Sequence, residues 1–164
     1  MLTSHELFGF MPAPLAGDIL EHAYTHDRDL YRATLTAVAN ARKVRPLFLE
    51  KQPRKERHLG MVGYLSRPGL DLAAGTMLRG WLLKAHQSLL VDFLDGVGVT
   101  HKDGVVDNLP ETVDDAKLKA TVDKLLATHA SDVVKVYLHS FNSMNESQWK
   151  NLESILKDDA RLQF

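Results

Sequence analysis

His22 and His26 stand four residues apart in the stretch EHAYTHDRD, with Glu21, Asp27 and Asp29 beside them. On a helix, residues at i and i+4 share a face, so the two imidazoles could chelate a metal ion, with Asp18 one turn back. Such a pair fills only part of a coordination shell. A second helix would have to bring His86, His129 or His139. The competing reading is local. Asp27 has the type and position of an N-cap for the following helix. His26 then falls in the last turn of its own helix, where the dipole favours an imidazole. This reading needs nothing from elsewhere in the chain and is the one the sequence favours. No metal and no other cofactor is expected.

Other recognisable chemistry is absent. With no cysteine there is no thiolate zinc site and no cysteine nucleophile. The glycines of DGVGVTHKDG, at 96, 98 and 104, match neither the dinucleotide nor the Walker spacing. Counted from Asp95 as a calcium loop, Val97 and Val99 occupy ligand positions and offer no side-chain oxygen. There is no Gly-x-Ser-x-Gly elbow and no His-Glu-x-x-His pair. The expectation leans away from an enzyme.

The elements that would position these residues read as helices almost throughout. Thr3 with Glu6 forms a capping box for a short first helix. Pro14 opens a second, with Leu15, Ile19, Leu20, Ala23 and Tyr24 on one face. Asp27 opens a third along Leu30, Tyr31, Leu35 and Val38. Pro46 and Pro53 bracket a short segment, PLFLEKQ, and a helix runs from about Arg54 to Ser66. From Leu70 to Val97 the chain is at its most apolar. Stripes on two opposite sides predict one central helix there, with Trp81 in the core. The segment 97–106 leaves room for a short β-hairpin. Three more helices are expected, capped by Thr112, Ser131 and Asn145, the last burying Trp149. The fold class is therefore all-α: one domain over residues 1–164, a helical bundle or irregular α-array of about seven helices.

Charge is distributed unevenly. Net charge is −1, yet Arg42–Arg57 carries seven cations against two acids, and Asp92–Asp115 seven acids against one lysine. Arg54, Lys55 and Arg57 follow Pro53 at a helix start, where positive charge opposes the macrodipole. They are expected to be exposed and to meet an anionic partner. Phe48 is the only aromatic residue in the basic run, which is too little for a base-stacking platform. The favoured function is a non-enzymatic protein-binding or regulatory module in the cytoplasm. Nucleic-acid binding through residues 42–57 is the first alternative, and metal or small-ligand binding at His22 and His26 the second. No run of about 18 apolar residues suggests a membrane span.

Overall fold

The computed structural model describes residues 1–146 and 148–164. It is all-α, with ten α-helices and no strand among the described residues. The chain divides into two compact units: Thr3–Trp81, and Met1–Leu2 together with Leu82–Phe164.

The Thr3–Trp81 unit begins with α1 (Ser4–Phe10), where the Thr3 backbone N–H donates to Glu6 Oε2 at 2.8 Å. Asp27 alone joins α2 (Ala13–His26) to α3 (Arg28–Arg42). Its N–H donates to Ala23 O and its own carbonyl accepts from Tyr31 N, both at 2.9 Å, so one residue closes a helix and opens the next. The α3 helix ends with Lys43 in the left-handed region, φ 57°, and the Val44 N–H returns to Ala39 O at 3.0 Å. Prolines then punctuate the chain. Pro46 starts α4 (Pro46–Glu50) and Pro53 precedes α5 (Arg54–Leu65). The α5 helix is the hub, lying against α1, α2, α3 and α4. Its buried face is Arg57, His58, Met61 and Leu65. A 3₁₀ turn at Pro68–Leu70 leads into α6 (Asp71–Ala85), which buries Met77, Leu78 and Trp81.

The expected single helix from Leu70 to Val97 is two helices. His86 leaves helical geometry, φ −132° and ψ 34°. Its N–H closes α6 on Leu82 O, and its carbonyl accepts from Leu89 N as α7 (Gln87–Val97) begins. The two opposed apolar stripes are thus the separate buried faces of two helices. This break and the folding of PLFLE into α4 add two helices to the eight named along the sequence, so ten form where about seven were expected.

In the second unit α7 lies against α8 (Asp115–Thr128), and α9 (Ser131–Met144) lies against α8 and α10 (Lys150–Asp158). The α7–α8 approach is close at Gly96, where an added Cβ would stand 2.5 Å from Thr121 Oγ1. Phe93, Tyr137, Phe141 and Trp149 form one aromatic cluster, with ring centroids 5.0 to 6.3 Å apart. All three expected caps move. Ser131 is the first residue of α9, whose N-cap is Ala130. Asp114, not Thr112, caps α8 by accepting from Lys117 N at 2.9 Å. Asn145 ends α9 instead of starting α10, whose N-cap is Trp149. The Trp149 carbonyl accepts from Asn142 Nδ2, and its indole N–H donates to Pro110 O at 2.8 Å.

The hairpin expected near 97–106 contracts to a single antiparallel bridge between Lys102 and Val105. Asp103 and Gly104 between them both have positive φ, 52° and 88°, as a type I′ turn requires. His101 holds the turn: Nδ1 accepts from Gly104 N–H at 3.0 Å, and Nε2 bonds Asp95 at 2.7 Å.

His139 on α9 is buried and is bonded through both ring nitrogens. Leu2 N–H donates to Nδ1 at 3.0 Å, so the ring proton sits on Nε2, which donates to Leu162 O at 3.0 Å. Burial lowers its pKa. Among the described residues no helix is long and apolar enough to cross a membrane.

Candidate functional site

Helical spacing gathers the polar residues of the Thr3–Trp81 unit. Glu21 and Tyr24 sit one turn apart near the end of α2, and Arg28 and Tyr31 one turn apart at the start of α3. Pro53 directs the start of α5, so that Arg54, Arg57 and His58 reach the same place.

Tyr24 is the centre of this cluster. The Arg28 guanidinium carbon lies 4.4 Å from its ring centroid, that of Arg54 4.6 Å and that of Arg57 5.7 Å. Such cation–π contacts place positive charge on the negative face of the ring. The guanidinium of Arg28, and after it that of Arg54, lowers the pKa of the Tyr24 hydroxyl, and Arg28 Nη1 donates to the Tyr24 backbone carbonyl at 3.2 Å.

Tyr31 is set deeper, and burial raises its pKa. It therefore keeps its proton and donates to His58 Nε2 at 2.9 Å. The His58 proton then lies on Nδ1, facing Glu21 Oε2 at 3.7 Å. Desolvation lowers the His58 pKa against the opposing pull of Glu21, so the imidazole is held neutral. Tyr31 and His58 form a hydrogen-bonded pair, and Glu21 stands beyond it without closing a hydrogen bond. With Tyr31 and His58 both buried, this pairing positions the rings and offers no accessible nucleophile.

The structure separates the three cations expected to act together. Lys55 is exposed, and Arg54 is half-exposed with a loose ion pair to Glu21 at 3.5 Å. Arg57 is not exposed: its accessibility is 8%. It lies on the core side of α5, one turn before Met61 and two before Leu65, a spacing visible in the sequence but outweighed there by its charge. Glu50 partners it, through the backbone carbonyl at 3.0 Å from Arg57 Nη1. Among the described residues no carboxylate lies within ion-pair distance of Arg57, and its Nε has no hydrogen-bond partner.

His22 and His26 do share a face, with ring centroids 5.1 Å apart, and His26 ends α2. Among the described residues no three His, Asp or Glu side chains are grouped to hold a metal. Of the three histidines named with them, His129 is bonded to Asp92 at 2.8 Å, His139 is held as described, and His86 is the junction of α6 and α7.

A second feature lies on α4. Leu47 and Phe48 are 57% and 53% exposed and, with Val44, Arg45 and Lys51, line a shallow apolar hollow. The Arg42 guanidinium stands 5.8 Å from the Phe48 ring. Sequence reading weighed Phe48 only as a base-stacking platform. The signal that would have found this tip is two bulky apolar residues between prolines in a run of cations. The wider groove between α8 and α10 holds Arg161, but Asp123 and Asp159 already bind it, both at 2.7 Å.

No protein-family model matches the chain, and neither a curated protein nor a solved structure matches it.

Proposed function

We propose that this chain is a non-enzymatic binding module that engages an acidic segment of another protein, with the cytoplasm as its compartment. The observation that supports this is the tip of α4. Leu47 and Phe48 are adjacent, large and more than half exposed, and they sit among Arg42, Lys43, Arg45 and Lys51. An apolar anchor inside a charged rim is the anatomy of a protein interface. Exposed apolar side chains of this size bury area on association, and the cations select an acidic partner and speed its approach. Arg54 and Lys55 extend the rim; Arg57 does not, being buried.

Nucleic acid is the weaker fit. A base needs a free aromatic face to stack on. Here the rings near the basic run already carry guanidiniums: Arg42 beside Phe48 and Tyr64, and Arg67 over Tyr64 at 3.9 Å.

The test is purification of the native complex with identification of the bound protein by mass. Binding of that protein is then measured for wild type and for L47S/F48S. Both sites are exposed, so the double variant should keep its stability within about 0.5 kcal/mol per site. Binding should fall at least about tenfold, and wild-type affinity should weaken as salt rises. An interface elsewhere is indicated if the variant binds the partner as wild type does. Steep salt-dependent retention on DNA with no protein bound would select the nucleic-acid reading.

A further inference from the structure

A buried arginine without a carboxylate is costly, because its charge loses water and gains no opposite charge in return. Arg57 is in that position, with the Glu50 carbonyl and the Tyr24 and Tyr31 ring faces as its surroundings. Two further guanidiniums, of Arg28 and Arg54, lie within 5 Å of the same Tyr24 ring centre. Against these three cations stands Glu21, whose reach to Arg54 is 3.5 Å and to His58 3.7 Å, both longer than a good charge-assisted hydrogen bond. Like charges held this close repel, and the cation–π contacts offset only part of that cost.

We propose that Arg28, Arg54 and Arg57 form a binding site for a phosphate dianion, free or carried by a small phosphomonoester, beside the ring of Tyr24. All three guanidinium carbons lie within 5.7 Å of the centre of that ring. Arg57 is the buried member of the three, and its Nε has no hydrogen-bond partner. A carboxylate offers two oxygens and one charge, enough for one guanidinium. Phosphate offers three or four oxygens and close to two charges, and guanidinium forks match it bidentately. His58 takes no part as a cation, because burial keeps it neutral. The site shares Arg54 with the rim of the α4 tip but no side chain with its Leu47–Phe48 anchor, so L47S/F48S and R28Q/R54Q test the two readings separately.

The experiment is a titration of the full chain with inorganic phosphate at constant ionic strength, balanced with chloride, following the arginine Nε–Hε signals by NMR. A parallel arm uses glycerol phosphate. Saturable shifts of the Arg54 and Arg57 signals are expected, together with a rise in melting temperature that chloride does not give. In R28Q/R54Q the affinity should fall at least about tenfold, since each substitution removes a charge-assisted contact. Arg54 is half-exposed and Arg28 exposed, so the double variant should fold, which circular dichroism would verify. Tighter binding of glycerol phosphate identifies a monoester as the ligand; equal affinity identifies free phosphate. Either source supports the site. No saturable response, a response equal to that of chloride, or one that survives R28Q/R54Q would overturn it.

Discussion

Gly96→Ala gives a sharp test of the α7–α8 contact, because two opposing effects have predictable sizes. Gly96 is the second-last residue of α7. In an uncrowded helix the added methyl would stabilise by about 0.5–1 kcal/mol, through the lower backbone entropy of the unfolded chain. Here an ideal Cβ would lie 2.5 Å from Thr121 Oγ1, 2.6 Å from Cγ2 and 3.1 Å from Cβ. Thr121 is buried, and its hydroxyl is tied to Lys117 O at 2.7 Å, so it cannot simply rotate away. Overpacking of this kind costs about 1–3 kcal/mol. The net expectation is destabilisation by about 0.5–2 kcal/mol, with the cost exceeding the helix gain. Urea unfolding of Gly96→Ala, Thr121→Ala and the double variant forms a cycle. Trp149 fluorescence in a Trp81→Phe background would report the unit that contains the contact. Thr121→Ala removes the two nearest atoms, so the double variant should recover most of the loss, a coupling of about 1 kcal/mol or more. The reasoning fails if Gly96→Ala alone stabilises, or if the two effects simply add.

Other expectations rest on separate features. Trp81→Ala should destabilise by about 3–5 kcal/mol, the range for deleting a large core aromatic; its accessibility is 4%. A loss well under 1 kcal/mol in denaturant would contradict its burial. Gly98 closes α7 with φ 76°, so Gly98→Ala should cost about 1–2 kcal/mol by thermal melt, although open space surrounds it. Burial lowers the pKa of His139, so protonation favours the unfolded chain. Its contribution is present above the unfolded value of 6.5 and is lost as pH falls below it, and His58 adds in the same direction. Unfolding followed from pH 8 to 5 should therefore show declining stability, with a shallower decline in His139→Phe. Equal slopes would remove His139 from the account.

Helix periodicity was readable wherever one apolar face met one core. Leu20, Ala23, Leu35 and Val38 were all expected inside, and all are buried. The reading failed where one pattern served two structures. Opposed stripes from Leu70 to Val97 fit a buried helix and also a pair of helices, and only the backbone of His86 decides between them. Asn145 suits either end of a helix, and it closes α9. At the candidate site charge suggests exposure, and Arg57 shows the limit of that rule: position on the α5 face outweighs side-chain type. Tyr24 and Arg54 lie 30 residues apart in sequence and meet only because α2 and α5 pack together. No local pattern encodes that meeting.

The imidazole between Leu2 and Leu162 carries a topological consequence. One ring bonds both Leu2 and Leu162, so the segments that carry these two residues lie side by side. The bond from Leu2 to His139 joins residues 137 positions apart, among the most expensive closures this chain makes. A linker of a few residues would turn that closure into a local one. New ends could then be cut at the exposed Asp103–Gly104 turn, where the backbone is held by one bridge and two side chains. Such a circular permutant should keep every helix contact of the parent while changing the order in which they form.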